Sequence, residues 1–114
     1  MNVAGSTAKS ERICRVDKFA VPQRAREEFI NGTRDTHVLL RTLSGFVQEF
    51  LLEQSSGAGQ FNFVTLVEWE DAQSMVNAKA AVAAMQKELN FNPREMYARL
   101  GIRAELGLYK HIDV

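Results

Sequence analysis

Between Arg12 and Val21 apolar and polar positions alternate. Ile13, Arg15, Asp17 and Phe19 fall on one side and Cys14, Val16, Lys18 and Ala20 on the other, the two-residue repeat of a strand. Pro22 suits the first position of a helix, where its missing N–H leaves no bond unmade. From 22 to 44 the repeat lengthens: Ala25, Phe29, Thr33, Thr36, Leu40 and Leu43 recur at helical spacing with charges opposite, and Gly45 is placed to end the helix. Residues 46–55 and 60–70 predict two more strands, with Gly57-Ala58-Gly59 as the hairpin turn between them. Asp71 is placed to cap an alanine-rich helix over 71–89. Asn92-Pro93-Arg94-Glu95 is a compact helix start, with an Asn cap, Pro at the first position and Glu three after the cap. That short helix should end at Gly101. Residues 102–111 predict a last strand with Ile102, Ala104, Leu106 and Leu108 on one face.

The element order is therefore β-α-β-β-α-(short α)-β, an α+β chain in ferredoxin-like order. Such a chain folds as an antiparallel sheet with both long helices on one side. A sheet of this kind should be apolar toward the helices and polar on the other face. The third strand departs from that pattern. Phe61, Phe63, Val67 and Trp69 share one face, yet Val64 and Leu66 share the other. The helices cover only one of these faces, so a second copy of the sheet is the expected cover for the other. The expected assembly is a homodimer through the sheet face.

A length of 114 residues fits one domain, expected over 12–114 after a flexible polar tail at 1–11. Lys plus Arg number 14 and Asp plus Glu number 14, so net charge gives no pull toward nucleic acid or anionic lipid. No apolar run is long enough to span a membrane and no signal-peptide core is present, so the expected location is cytoplasmic. Cys14 is the only cysteine, so neither an intramolecular disulfide nor a cysteine-based zinc site is expected; both are excluded on this count. The two histidines show no metal-ligand spacing, and no metal is expected. No catalytic triad, phosphate loop or dinucleotide fingerprint is present.

Four segments carry a family resemblance that spans roughly residues 12–110. VDKFAVPQ is similar to a first strand running through proline into helix one. LSGFVQEFLLEQ is similar to a glycine-led second strand, and FVTLVEWEDAQSM to a third strand ending in tryptophan and an acidic residue. RLGIRAELGLY is similar to a closing strand. Together they resemble the antibiotic biosynthesis monooxygenase-like family of dimeric α+β barrels. The resemblance implies two ferredoxin-like subunits paired sheet to sheet, each with a pocket between sheet and helices. Its members include cofactor-free oxygenases of anthrones and quinols, haem-degrading enzymes and proteins without assigned activity. Asp17 falls at or near an asparagine of the haem-degrading members. Those members also carry a tryptophan and a haem-ligating histidine on helix two; residues 71–89 contain neither, so haem degradation and tight haem binding are not expected.

Each candidate site residue has a chemical and a packing reading. Asp17, on the face of Ile13 and Phe19, is either a base with raised pKa or a solvated carboxylate paired with Arg15 or Lys18. His37, at the edge of the helix-one stripe, is a second candidate base or a half-exposed packing residue. Trp69 is either a platform for an aromatic substrate or a packing residue at the strand-to-helix corner. Lys79 lies with Met75, Val82 and Gln86 on the helical wheel of residues 71–89. It either holds a substrate oxyanion or snorkels to water. Phe19, Phe29, Phe50, Phe63, Met75 and Tyr97 line an apolar pocket or fill the core.

Two functions follow as expectations. One is a cofactor-independent monooxygenase acting on a quinol-like or polycyclic phenol, with Asp17 or His37 as catalytic base. Trp69, Phe19, Phe63, Met75 and Lys79 then hold the substrate. The other is a non-catalytic dimeric module that binds a small apolar or aromatic ligand or supports a partner enzyme.

Overall fold

The computed structural model of the chain describes residues 11–114; all but the last residue of the expected tail lies outside the described residues. In chain order the elements are β1 (Ile13–Ala20), a 3-10 turn (Gln23–Ala25), α1 (Arg26–Leu40), β2 (Phe46–Glu53), β3 (Phe63–Trp69), α2 (Ala72–Glu88), α3 (Pro93–Leu100) and β4 (Arg103–Tyr109). The four strands form one antiparallel sheet in the order β2-β3-β1-β4. The expected ferredoxin-like α+β architecture is borne out.

Local chemistry sets the element ends. Asp71 Oδ1 accepts from the Ser74 N–H at 2.8 Å and starts α2, and Asn92 Oδ1 accepts from the Arg94 N–H at 2.9 Å and starts α3. Gly101, at φ 72°, closes α3 in the left-handed conformation. Helix one stops earlier than its apolar spacing suggests: α1 ends at Leu40, and Leu43 belongs to the turn that follows. Gly45 serves that turn rather than the helix end. Its φ is 85°, and a Cβ there would meet the Ser74 side chain of α2.

Pairing register decides which residues look toward the helices. Ile13, Arg15, Asp17 and Phe19 stand opposite Trp69, Val67, Thr65 and Phe63. This row system is the helix side. It splits into two clusters. Phe19, Val21, Ala25, Phe29, Phe63 and Ile102 form one, under α1 and α3; Leu40, Val67, Trp69 and Ala78 form the other, under α1 and α2. Phe29 bridges two rings, its centroid 4.8 Å from Phe19 and 5.0 Å from Phe63. The opposite face carries Val16, Phe50, Leu52, Val64 and Leu66, with Phe50 46% and Leu52 55% exposed. Phe50 therefore belongs to this open face and lines no pocket on the helix side, because its partner across the ladder is Leu66.

Candidate active site

Asp17 sits mid-strand on β1, on the helix side, between the two core clusters. Its Oδ1 accepts from Arg15 Nε at 2.8 Å, and its side chain is only 16% exposed. The two residues are neighbours because strand residues two apart share a face. Burial pushes the Asp17 carboxyl above its usual range, and the Arg15 guanidinium offsets only part of that shift.

Tyr97 of α3 completes this group. Its ring meets Phe19 edge-on, with centroids 5.8 Å apart. Burial raises the phenol's pKa, the charge of Asp17 adds to the rise, and Arg15 opposes it. On the β4 side, Leu106 pairs with Asp17 and Leu108 with Arg15, so both point to the helix side. Each is nevertheless 58% exposed, since β4 is an edge strand that no helix covers. The result is an uncovered strip of the helix side, here called the trough, with a carboxylate, a guanidinium and a phenol along one border and the apolar leucines of β4 along the other. Such a surface can seat a flat apolar molecule, take a proton from it and hold the resulting negative oxygen.

Trp69 shares the helix side with Asp17, because the register sets it opposite Ile13. That position is four residues along β1 from Asp17, roughly 13 Å away at strand spacing. It is 3% exposed and packs edge-on against Phe46 at 5.8 Å. Phe19 and Phe63 are 4% and 1% exposed, so they support the trough from within the core. Met75 is half-buried against the Trp69 cluster. Lys79 corrects the helical-wheel reading: it is exposed, and the inward stripe of α2 runs through Met75, Ala78 and Val82. The small Ala78 lets α2 sit close to the sheet, which turns the next position outward.

His37 is more buried than its place at a stripe edge suggests, at 6% exposure. Its Nδ1 lies 3.1 Å from Glu49 Oε2, and Arg41 Nε donates to Glu49 Oε1 at 2.6 Å. Burial lowers the His37 pKa, and Glu49 restores part of it. A neutral imidazole there donates Nδ1–H to the carboxylate. The two candidate bases do not converge: Glu49 is on β2 and Arg15 on β1, with Val67 of β3 between them.

Arg15 and Tyr97 join the group through the fold: their spacing along the chain marks Arg15 only as a charge partner and Tyr97 only as an apolar ring. The i, i+2 spacing of Arg15 and Asp17 was visible; the approach of α3 to β1 was not. Two surface cavities, of about 420 and 340 Å³, lie elsewhere, one between the end of α2 and the start of α3 and one around Val21, Asn62 and Arg103.

Comparison with family models finds no match, and comparison with curated proteins finds none either. Solved structures do match. A candidate monooxygenase from Shewanella loihica PV-4 superposes with a TM-score of 0.69 at 15% identity, over 94% of this chain and 100% of that one. SnoaB from Streptomyces nogalater, described as a cofactor-independent oxygenase, gives 0.66 at 22% identity, over 91% and 96%. MhuD, solved with two manganese protoporphyrin IX molecules per active site, gives 0.65 at 19% identity, over 90% and 97%. The chain has the α+β fold of the antibiotic biosynthesis monooxygenase-like proteins, in agreement with the resemblance of its strands.

Proposed function

We propose that the chain is a cofactor-independent monooxygenase whose substrate, a polycyclic phenol or quinol, lies in the trough beside Asp17. The observation that carries this reading is the meeting of a poorly solvated carboxylate with Arg15 and Tyr97 beside the uncovered leucines of β4. The likeness in fold to SnoaB supports the same chemistry.

Asp17 Oδ1 is engaged by Arg15, which leaves Oδ2 to accept the substrate proton. Proton loss gives a delocalised anion, and Arg15 with the Tyr97 hydroxyl stabilises its oxygen. The anion supplies electrons to O2. A carbon–oxygen bond forms at the activated ring carbon, the O–O bond then breaks as the second C–H proton leaves, and a ketone and water result. One CH2 and one O2 thus give one C=O and one H2O. His37, turned to Glu49, is the second candidate base; Phe19 and Phe63 back the trough from the core, while Trp69, flanked by Met75, sits farther along the same sheet face. A second copy of the chain covers the open sheet face.

The test is oxygen uptake with a panel of anthrones and quinols, in chelator-treated protein. Oxygen consumption should match product formation one to one. Asp17→Asn should slow turnover about a hundredfold or more, the usual scale for a lost general base. Full activity in Asp17→Asn would sink the base assignment. The second reading, a ligand-binding module, is favoured by the position of both cavities away from Asp17. Saturable quinol binding without oxygen uptake would select it.

A further inference from the structure

The open face of the sheet holds a second group of chemically active side chains, which the function above does not use. Across one row stand Gln48, Glu68, Cys14 and Tyr109, each opposite the next. Two residues beyond Tyr109 the chain folds back over this row and brings His111 onto it. His111 Nε2 lies 3.0 Å from Glu68 Oε2 and 4.0 Å from Cys14 Sγ. The three ligand atoms all lie within 4.8 Å of one another. Glu68 is 1% exposed and Cys14 7%, so the group is dry on two sides.

We propose that Cys14, Glu68 and His111 form a binding site for a thiophilic divalent cation of the zinc type. The inference is independent of the oxygenase reading, since these residues point away from Asp17. A thiolate, an imidazole and a carboxylate are the ligand types that zinc takes, and three protein ligands leave a fourth position for water. The spacing fits. Tetrahedral zinc with ordinary bond lengths sets sulfur and nitrogen about 3.6 Å apart and nitrogen and oxygen about 3.3 Å apart. The observed 4.0 and 3.0 Å need shifts of a few tenths of an ångström, and the Cys14 sulfur and Glu68 carboxylate, within 4.8 Å of each other, close toward about 3.5 Å when an ion sits between them.

The surroundings suit the role. Gln48 Nε2 donates to Glu68 Oε1 at 2.7 Å, which fixes the carboxylate and leaves Oε2 toward the other two ligands. Binding releases one proton, that of the Cys14 thiol, to buffer, and the imidazole binds through Nε2 with its own proton on Nδ1. Arg12 Nη1 approaches the same Oε2 at 3.3 Å from a partly exposed position, and it is the group that a cation displaces. A bound ion would clip the segment after β4 to the sheet.

The experiment titrates chelator-stripped full-length protein with Co2+ and then with Zn2+. The expected result is one Co2+ per chain, a thiolate-to-cobalt charge-transfer band in the near ultraviolet, and loss of that band as Zn2+ replaces cobalt. Cys14→Ser should abolish the band. His111→Ala, which alters only the segment after the last strand, should weaken binding roughly tenfold or more. Arg12→Gln should tighten it. His37→Gln, on the other side of the sheet, should leave it unchanged. Absence of the band in the parent protein overturns the proposal. So does a band that survives Cys14→Ser, or affinity that falls equally in His37→Gln and His111→Ala.

Discussion

At Asp17 burial and Arg15 act in opposite directions, and burial wins. The carboxyl's pKa in the folded chain lies above its ordinary 3.8. Its contribution to stability is thus fully present below that value and is lost as pH rises through the folded pKa. At neutral pH the ionised group is a net burden on the fold. Asp17→Asn should therefore melt at pH 7 no lower than the parent while losing turnover, the pattern of a residue kept for chemistry. His37 has the contrary sign. Its folded pKa lies below the ordinary 6.5, because burial opposes the charged ring more than Glu49 favours it. The unfolded chain therefore binds the extra proton first, and stability falls as pH drops from 6.5 toward the folded value. In thermal melts between about pH 7.5 and 5, His37→Gln should show a flatter profile than the parent. Equal slopes would mean that His37 is not the titrating group.

Helix α3 has eight residues and depends on its ends more than a longer helix would. Asn92 satisfies two of its first N–H groups, those of Arg94 and Glu95, and Gly101 closes it. The helix carries Met96 into the core and Tyr97 over Phe19 and Asp17. Asn92→Ala should cost about 1 kcal/mol of stability, the usual scale of a lost cap. It should also raise the apparent KM for a phenolic substrate more than it lowers kcat, because α3 positions Tyr97 at the trough. Chemical denaturation and steady-state kinetics read the two effects separately. A pure stability loss with unchanged KM would remove Tyr97 from the substrate site. Helix α2 is set by its packing face rather than by its ends. Its side-chain cap is Asp71, and its buried face is narrowed to Ala78 with Met75 and Val82 beside it. Lys79 adjoins that stripe on a wheel but is exposed, since the close approach allowed by alanine sets the rotation of the whole helix.

As a whole the molecule is a thin slab, 17 Å in its shortest dimension, which is one sheet layer and one helix layer. The helix layer takes Phe19, Phe29, Phe63 and Trp69 out of water. The other sheet face keeps Val16, Phe50, Leu52, Val64 and Leu66 in one patch. A patch of this kind on a two-layer chain is the ordinary site of self-association. Leu66→Glu puts a charge at its centre, opposite Phe50 and Val16, while leaving the helix side untouched. Sedimentation velocity at micromolar concentration should give twice the chain mass for the parent and a shift toward the chain mass for the variant. A parent that sediments at the chain mass would count against the dimer, and an unchanged variant would move the contact elsewhere. No described helix is long and apolar enough to cross a membrane.

The sequence by itself determined the elements, their order and the facing of each strand. Those properties depend on local periodicity and on caps such as Asp71 and Asn92, which act over a few residues. Asp17 and Trp69 share one sheet face because that alternation is combined with a register that sets Ile13 opposite Trp69. Tertiary structure decided what lies next to what. Asp17 and Trp69 share a face yet belong to different neighbourhoods, because rows along a strand are far apart compared with side-chain reach. Tyr97 reaches Phe19 only through the packing of α3. Cys14, Glu68 and His111 come together from positions as far as 97 residues apart. No spacing rule could anticipate that meeting, since it arises from strand pairing across the sheet and from the return of the chain after β4. Periodicity reports which side a residue faces; only the folded register reports its company.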